Sequence, residues 1–180
     1  MHYYGAREMA ASFRTVRKNT IAIAQDIPED KYSFRPAGDT RSVGELLVHI
    51  AVSDQFQYQI HAQEQRATLV GFDFPAFMKR MAAEEKAPRS KAQTIALLES
   101  TGDKFAGWLE GLSDAFLAEQ VEMPPGSPVP TKSRFEMILG VKEHEMHHRG
   151  QLMTIERIIG VVPHLTRAMQ ARFAAAAVKS

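Results

Sequence analysis

The chain has 180 residues, 44% of them hydrophobic and 24% charged, and a formal net charge of +1. That length suits one domain with a sizeable core, so residues 1–180 are expected to fold as a single unit. The near-neutral charge offers no field for nucleic acid or an anionic membrane surface, and no apolar run approaches the ~20 residues that span a bilayer. With no cysteine, disulfides, thiolate metal ligands and a cysteine nucleophile supplied by the protein are excluded. The N-terminus lacks the basic-then-apolar order of a signal peptide, so a cytoplasmic protein is expected.

From Ala6 to Gln25 the apolar side chains Met9, Phe13, Val16 and Ile23 recur at helical spacing, with Thr20 in register, until Pro28 stops the pattern. Tyr32 to Asp39 reads as a loop. Ser42-Val43-Gly44-Glu45 has the form of a capping box, and the helix it opens carries Leu46, His49, Ser53, Phe56 and Ile60 on one face to about Ala67. Gly71 to Pro88 mixes Phe72, Phe74 and Phe77 with charged residues and has room for a short helix after Pro75. A third long helix starts near Ser90 with Ile95, Leu98, Phe105 and Leu109. Met123 to Pro130 carries four prolines and cannot be helical.

Ser133-Arg134-Phe135-Glu136 is a second capping-box sequence, opening a helix with Met137, Val141, His144, His148, Leu152 and Ile155 on one stripe. Gly160 and Pro163 end it, and a short last helix is expected from Thr166 to Ala177. Strand-like alternation is missing. The reading is all-α: a four-helix bundle with a long crossover between the second and third helices, plus short extra helices. The segment Thr68–Arg89 is longer than the about twelve extended residues needed to return along such a helix. Parallel second and third helices are therefore allowed.

His144 and His148 are four residues apart, so they share a helix face and can share one metal ion. A working site has three protein ligands and an open position, so one more is needed from another helix. His49 is the best candidate, because it lies on the inward stripe with Leu46 and Phe56, where an unpaired ring is costly. Alone, His49 would more simply be a core histidine bonded to a carbonyl; the facing pair makes it a ligand. His147 is turned about 100° from His148 and reads as a flanking residue. His2, His61 and His164 have no partner at chelating spacing and are expected on the surface. Glu143 and Glu145 could orient an imidazole through its other nitrogen, but charges on the helix surface are the simpler reading of both. His144-Glu145-Met146-His147-His148 also contains His-Glu-x-x-His, in which Glu145 would be a general base. The helical bundle lacks the strand that normally aligns a peptide there.

The segments Tyr32-Ser33-Phe34-Arg35-Pro36, Ser42 to Ile50 and His144 to Leu152 together resemble the DinB-like family of metal-binding four-helix bundles, over essentially the whole chain. The resemblance implies a three-histidine site of His49, His144 and His148, a divalent transition metal such as zinc or nickel, and a homodimer. Three imidazoles suit both ions. Some relatives transfer low-molecular-weight thiols such as bacillithiol, mycothiol or glutathione to electrophiles. The leading expectation is a metal-dependent enzyme acting on a small-molecule substrate, with thiol transfer ahead of hydrolysis and no nucleic acid or membrane partner. A non-catalytic metal or small-molecule binding protein is the alternative from another class. Phe72, Phe74 and Phe77 are either core or the wall of an electrophile pocket.

Overall fold

The computed structural model describes residues 4–177. Helix α1 (Ala6–Asp26) buries Met9, Phe13, Val16, Thr20 and Ile23, the stripe expected from its spacing. Helix α2 (Val43–Val52) is opened by a complete capping box: Ser42 accepts from the Glu45 amide at 3.2 Å, and Glu45 accepts from the Ser42 amide at 2.8 Å. The second helix does not run unbroken to Ala67. It turns at Ser53, whose hydroxyl donates to the Ile50 carbonyl, resumes as α3 (Asp54–Tyr58), and closes in one wide π-helical turn, Gln59–Gln63. The wide turn brings Ile60 and His61 into the interior.

Helix α4 (Phe74–Lys86) fills the crossover, started by Asp73 accepting from the Ala76 amide and by Pro75 in its first turn. Helix α5 (Lys91–Glu110) starts at a further capping box of Ser90 and Gln93. Lys91 donates to the carbonyls of Gln25 and Ile27 at 2.6 and 2.7 Å, tying the start of α5 to the end of α1. A short α6 (Asp114–Ala118) precedes the long α7 (Arg134–Ile158) and the terminal α8 (His164–Ala177). Ser133 caps α7 by accepting from the Glu136 amide. The reciprocal half of the expected box is missing, because Glu136 pairs with Lys132 instead. Gly160, at φ 82°, ends α7: its amide donates to Arg157 and the Val161 amide to Glu156, the paired bonds of a Schellman motif.

Two short strands, β1 (Gln120–Glu122) and β2 (Thr131–Ser133), pair antiparallel around the proline-rich segment, with Val121 opposite Lys132. Three residues are too few to show an alternating period, so the hairpin left no mark in the pattern.

The four bundle members are α1, the broken α2–α3, α5 and α7. Phe13 packs on Phe105 and Lys91 reaches Ile27, so α1 and α5 are antiparallel. Leu47 shares a cluster with Leu98, and Tyr58 stacks edge-on against Trp108 at 5.6 Å, so α2–α3 runs parallel to α5. The crossover through α4 is what permits this topology. Of four buried clusters among the described residues, the two largest are Ile23, Leu47, Ile50, Leu98 and Leu152 toward one end and Met9, Phe13, Phe105 and Ile138 toward the other; the smaller two lie under the crossover, around Phe77 and Met81 and around Ile60 and Leu69.

Candidate metal centre

Helix α2 faces α7 antiparallel, which sets His49 opposite the adjacent turns that carry His144 and His148. His49 Nε2 and His148 Nε2 each lie 3.1 Å from His144 Nε2. One ligand atom from each of the three residues lies within 4.8 Å of the others. A tetrahedral ion with bonds of about 2.0–2.1 Å separates its nitrogen ligands by roughly 3.3–3.4 Å, so two of the three edges already have almost that length.

The partners of the other ring nitrogens fix which atoms face inward. His49 Nδ1 lies 2.7 Å from Glu85 Oε1, and a carboxylate only accepts, so Nδ1 carries the hydrogen and Nε2 presents a lone pair. His148 Nδ1 donates in the same way to Gln151 Oε1 at 2.8 Å, leaving its Nε2 as an acceptor. Two lone pairs thus converge on His144 Nε2, which in a neutral ring can donate one hydrogen to only one of them. A cation at the centre satisfies all three nitrogens at once. The residues fit a divalent transition metal.

Burial keeps the rings neutral. It lowers His144 to about 4, helped by the facing His148 and His49. Burial also lowers His49 against the opposing hydrogen bond that it donates to Glu85, and lowers His148 against the one that it donates to Gln151. Glu85 is itself partly desolvated, which opposes its charge. Hydrogen bonds from Arg41 (2.7 Å) and His49 nevertheless hold it below the usual carboxylate range. Arg41–Glu85–His49 is therefore a relay of fixed orientation behind one ring, of the kind that tunes metal-bound histidines.

The other sequence expectations fare unevenly. His147 is exposed and flanks the site, its Nε2 accepting from the Gln151 amide at 3.2 Å. Glu145 is not placed as a general base and does not orient an imidazole. It points away from the triad into the α1 interface, fully buried, where both oxygens accept from Arg17 Nε (3.0 and 3.1 Å) and Oε1 from Thr20 (2.7 Å). Glu143 is exposed. His61 is not on the surface: it is buried, and Arg134 Nη1 donates to its Nδ1 at 2.8 Å. His164 is half-buried against Asn19, and His2 lies outside the described residues.

Glu85 and Gln151 escaped the sequence reading. Gln151, three residues after His148, could have been found from helical spacing. Glu85 sits on the crossover helix, and nothing in its local pattern marks it.

Two cavities meet the triad. One, of about 790 Å³, is lined by charged groups including Arg35, Arg41, Glu45 and Lys86, and reaches His148 and Gln151. The other, of about 410 Å³, reaches His49 and His144 and is walled by Phe56, Phe74, Phe77 and Met81. The crossover phenylalanines pack on one another, Phe72 to Phe74 at 4.8 Å and to Phe77 at 6.0 Å, and on Phe56 of α3; Phe74 and Phe77 line the cavity as well, whereas Phe72 does not.

Fold and site define a helical bundle with a three-histidine cluster of metal-ligand geometry between its second and fourth members. The model of the DinB superfamily matches residues 12–152, and the chain belongs to that family. It is similar to the uncharacterized protein YjoA of Bacillus subtilis (strain 168), 22% identical over 157 residues, covering 86% of this chain and 91% of YjoA. The crystal structure of YjoA, described as DinB-like, superposes with a TM-score of 0.62 over 85% of this chain and 92% of that one. YfiT, also from B. subtilis, is 11% identical and superposes with a TM-score of 0.66 over 87% and 88% of the two chains. It is described as a probable metal-dependent hydrolase with an unusual four-helix bundle topology.

Proposed function

We propose that this chain is a divalent-metal-dependent enzyme that transfers a low-molecular-weight thiol to an electrophilic small molecule, with His49, His144 and His148 as the metal ligands. The observation that carries this reading is the meeting at one triad of two cavities, one edged by charged side chains and one walled by aromatic and aliphatic ones. A reaction between a charged, peptide-like thiol and a less polar electrophile needs two such compartments. A zinc or nickel ion held by three imidazoles supplies a Lewis acid with an open coordination position. Glu85 and Gln151 hold His49 and His148 in the tautomer that directs Nε2 inward. In the transfer, a bond forms from the thiol sulfur to the electrophilic carbon, the thiol proton passes to solvent, and the leaving group departs with its electron pair.

Metal-dependent hydrolysis is the second reading, favoured by the description of YfiT. Elemental analysis tests the site that both share: about one divalent ion per chain is expected in the wild type and loss in His49→Ala and His148→Ala. Equal metal content in all three proteins refutes the ligand set. Turnover of electrophiles that requires added glutathione, bacillithiol or mycothiol supports transfer; turnover without thiol supports hydrolysis.

The partner proposed is a second copy of the chain. Leu165, Met169 and Phe173 form an exposed apolar stripe along α8, a helix with no buried residue. A homodimer seated on that stripe would cover it.

A further inference from the structure

Between α2–α3, α4 and α7, the 410 Å³ cavity has mostly apolar walls; away from the triad its polar lining is Ser53, whose hydroxyl is taken by the Ile50 carbonyl, and Gln57. Val52, Phe56, Phe74, Phe77, Met81 and Val141 leave no charged group away from the triad end, where Glu85 is already engaged by Arg41 and His49. Its volume lies in the range of small-molecule sites. Met78, half exposed among the lining residues, is an unbranched side chain that can move aside for an entering molecule.

Two features distinguish this space from a packing defect. Gln57 lines it, and the side-chain Oε1 of Gln57 is buried without a hydrogen-bond partner among the described residues. A buried amide oxygen with no donor is destabilising, so a ligand that supplies the donor gains affinity. Gly140, on the α7 wall, is the second. A Cβ built there meets no atom within 4 Å, so neither crowding nor backbone conformation requires glycine. In a helix interior glycine is less favourable than alanine. What it provides here is room.

We propose that this cavity is the binding site for the electrophilic substrate, and that the substrate is a neutral molecule with a compact aryl or alkyl body and one hydrogen-bond donor that Gln57 accepts. Gln57 and Gly140 are its specificity-determining residues: Gln57 selects the donor, and Gly140 sets the depth. The apolar body fills the space between Phe77 and Val141, which directs the reactive end toward His49 and His144. Away from the triad end, nothing in the walls compensates the lost hydration of a charge, which favours a neutral body. The proposal rests on the two-compartment reading of the site and names the occupant of one compartment.

The test is calorimetric binding of two probes to the metal-loaded wild type: 4-phenylphenol and its methyl ether. 4-Phenylphenol should bind about tenfold more tightly than the ether, the equivalent of one net hydrogen bond. Gln57→Leu should abolish the preference for the phenol while still binding the ether. Gly140→Leu should lose both neutral probes yet keep its metal and a melting temperature no lower than wild type. Equal affinity for phenol and ether, or unchanged phenol binding in Gly140→Leu, overturns the proposal. Binding is read without turnover, so the outcomes separate. Selective phenol binding with no thiol-dependent turnover upholds this site while refuting thiol transfer. Thiol-dependent turnover that 4-phenylphenol does not inhibit, with KM unchanged in Gly140→Leu, does the reverse.

Discussion

Glu145→Gln separates two roles for the residue that follows His144. As a general base in a His-Glu-x-x-His motif, its loss would cut turnover by roughly 10²–10⁴-fold and leave stability intact. The structure instead makes it the counter-ion of buried Arg17, whose Nη1 also donates to the Leu98 carbonyl and Thr101. Breaking such a pair from one side typically costs 3–5 kcal/mol. Two factors reduce this: glutamine can still accept from Arg17 or Thr20, and Asp54 lies 3.8 Å from Arg17. Asp54 is pushed up to about 7, chiefly by burial and in part by Glu145, so removing that charge lets Asp54 ionise and take over part of the pairing. The expected loss is therefore about 3 kcal/mol, or roughly 6–12 °C in Tm for a chain of this size. Thermal and urea unfolding of the metal-loaded protein measure it, with metal content and turnover per folded molecule read in parallel. An unchanged Tm with turnover reduced a hundredfold would refute the structural assignment.

Glu85→Ala should weaken metal binding by about 10–100-fold in a competition titration with a chromophoric chelator, because His49 loses the partner that fixes its tautomer; equal affinity would show that the relay has no such role. Glu156 is fully buried, neither carboxylate oxygen has a hydrogen-bond partner among the described residues, and burial pushes it up from 4.5 to about 7. A raised folded-state value means that its favourable state is complete below about pH 4.5 and lost as pH rises through 7. Glu156→Gln should thus gain on wild type by about 2–3 kcal/mol in urea unfolding at pH 8, with the gain shrinking toward pH 5; a pH-independent difference would contradict this. Phe173→Asp should convert a dimer to a monomer in sedimentation, and a wild type that sediments as a monomer at tens of micromolar would remove the α8 interface.

The helical stripes were legible because a 3.6-residue period over fifteen or more residues repeats often enough to stand out, as it does from Met9 to Ile23 and from Met137 to Ile155. The candidate site was legible for the same reason. His144 and His148 are locked to one face by spacing alone, and an imidazole at His49 on an apolar stripe calls for a partner. The interruption at Ser53 was not legible: short stretches before and after it keep the same inward register, and the break depends on the hydroxyl bond to Ile50. Nor was the burial of His61, which follows from a π-helical turn and from Arg134 arriving seventy-odd residues later.

What the sequence determined by itself was therefore periodic and local: which segments are helices, which face each buries, where caps begin them, and which two histidines must stand together. Tertiary structure alone decided the long-range choices. It turned Glu145 toward Arg17 rather than toward the triad, brought Glu85 on the crossover helix to His49, and opened a cavity edged by charged side chains on one side of the histidines and an aromatic-walled one on the other. The physical reason is that helical periodicity gives each side chain a direction around its own axis, whereas a partner depends on how that axis is placed against the others. Charged residues such as Glu85 and Glu145 have the same local signature whether they face solvent, a buried arginine or a metal ligand.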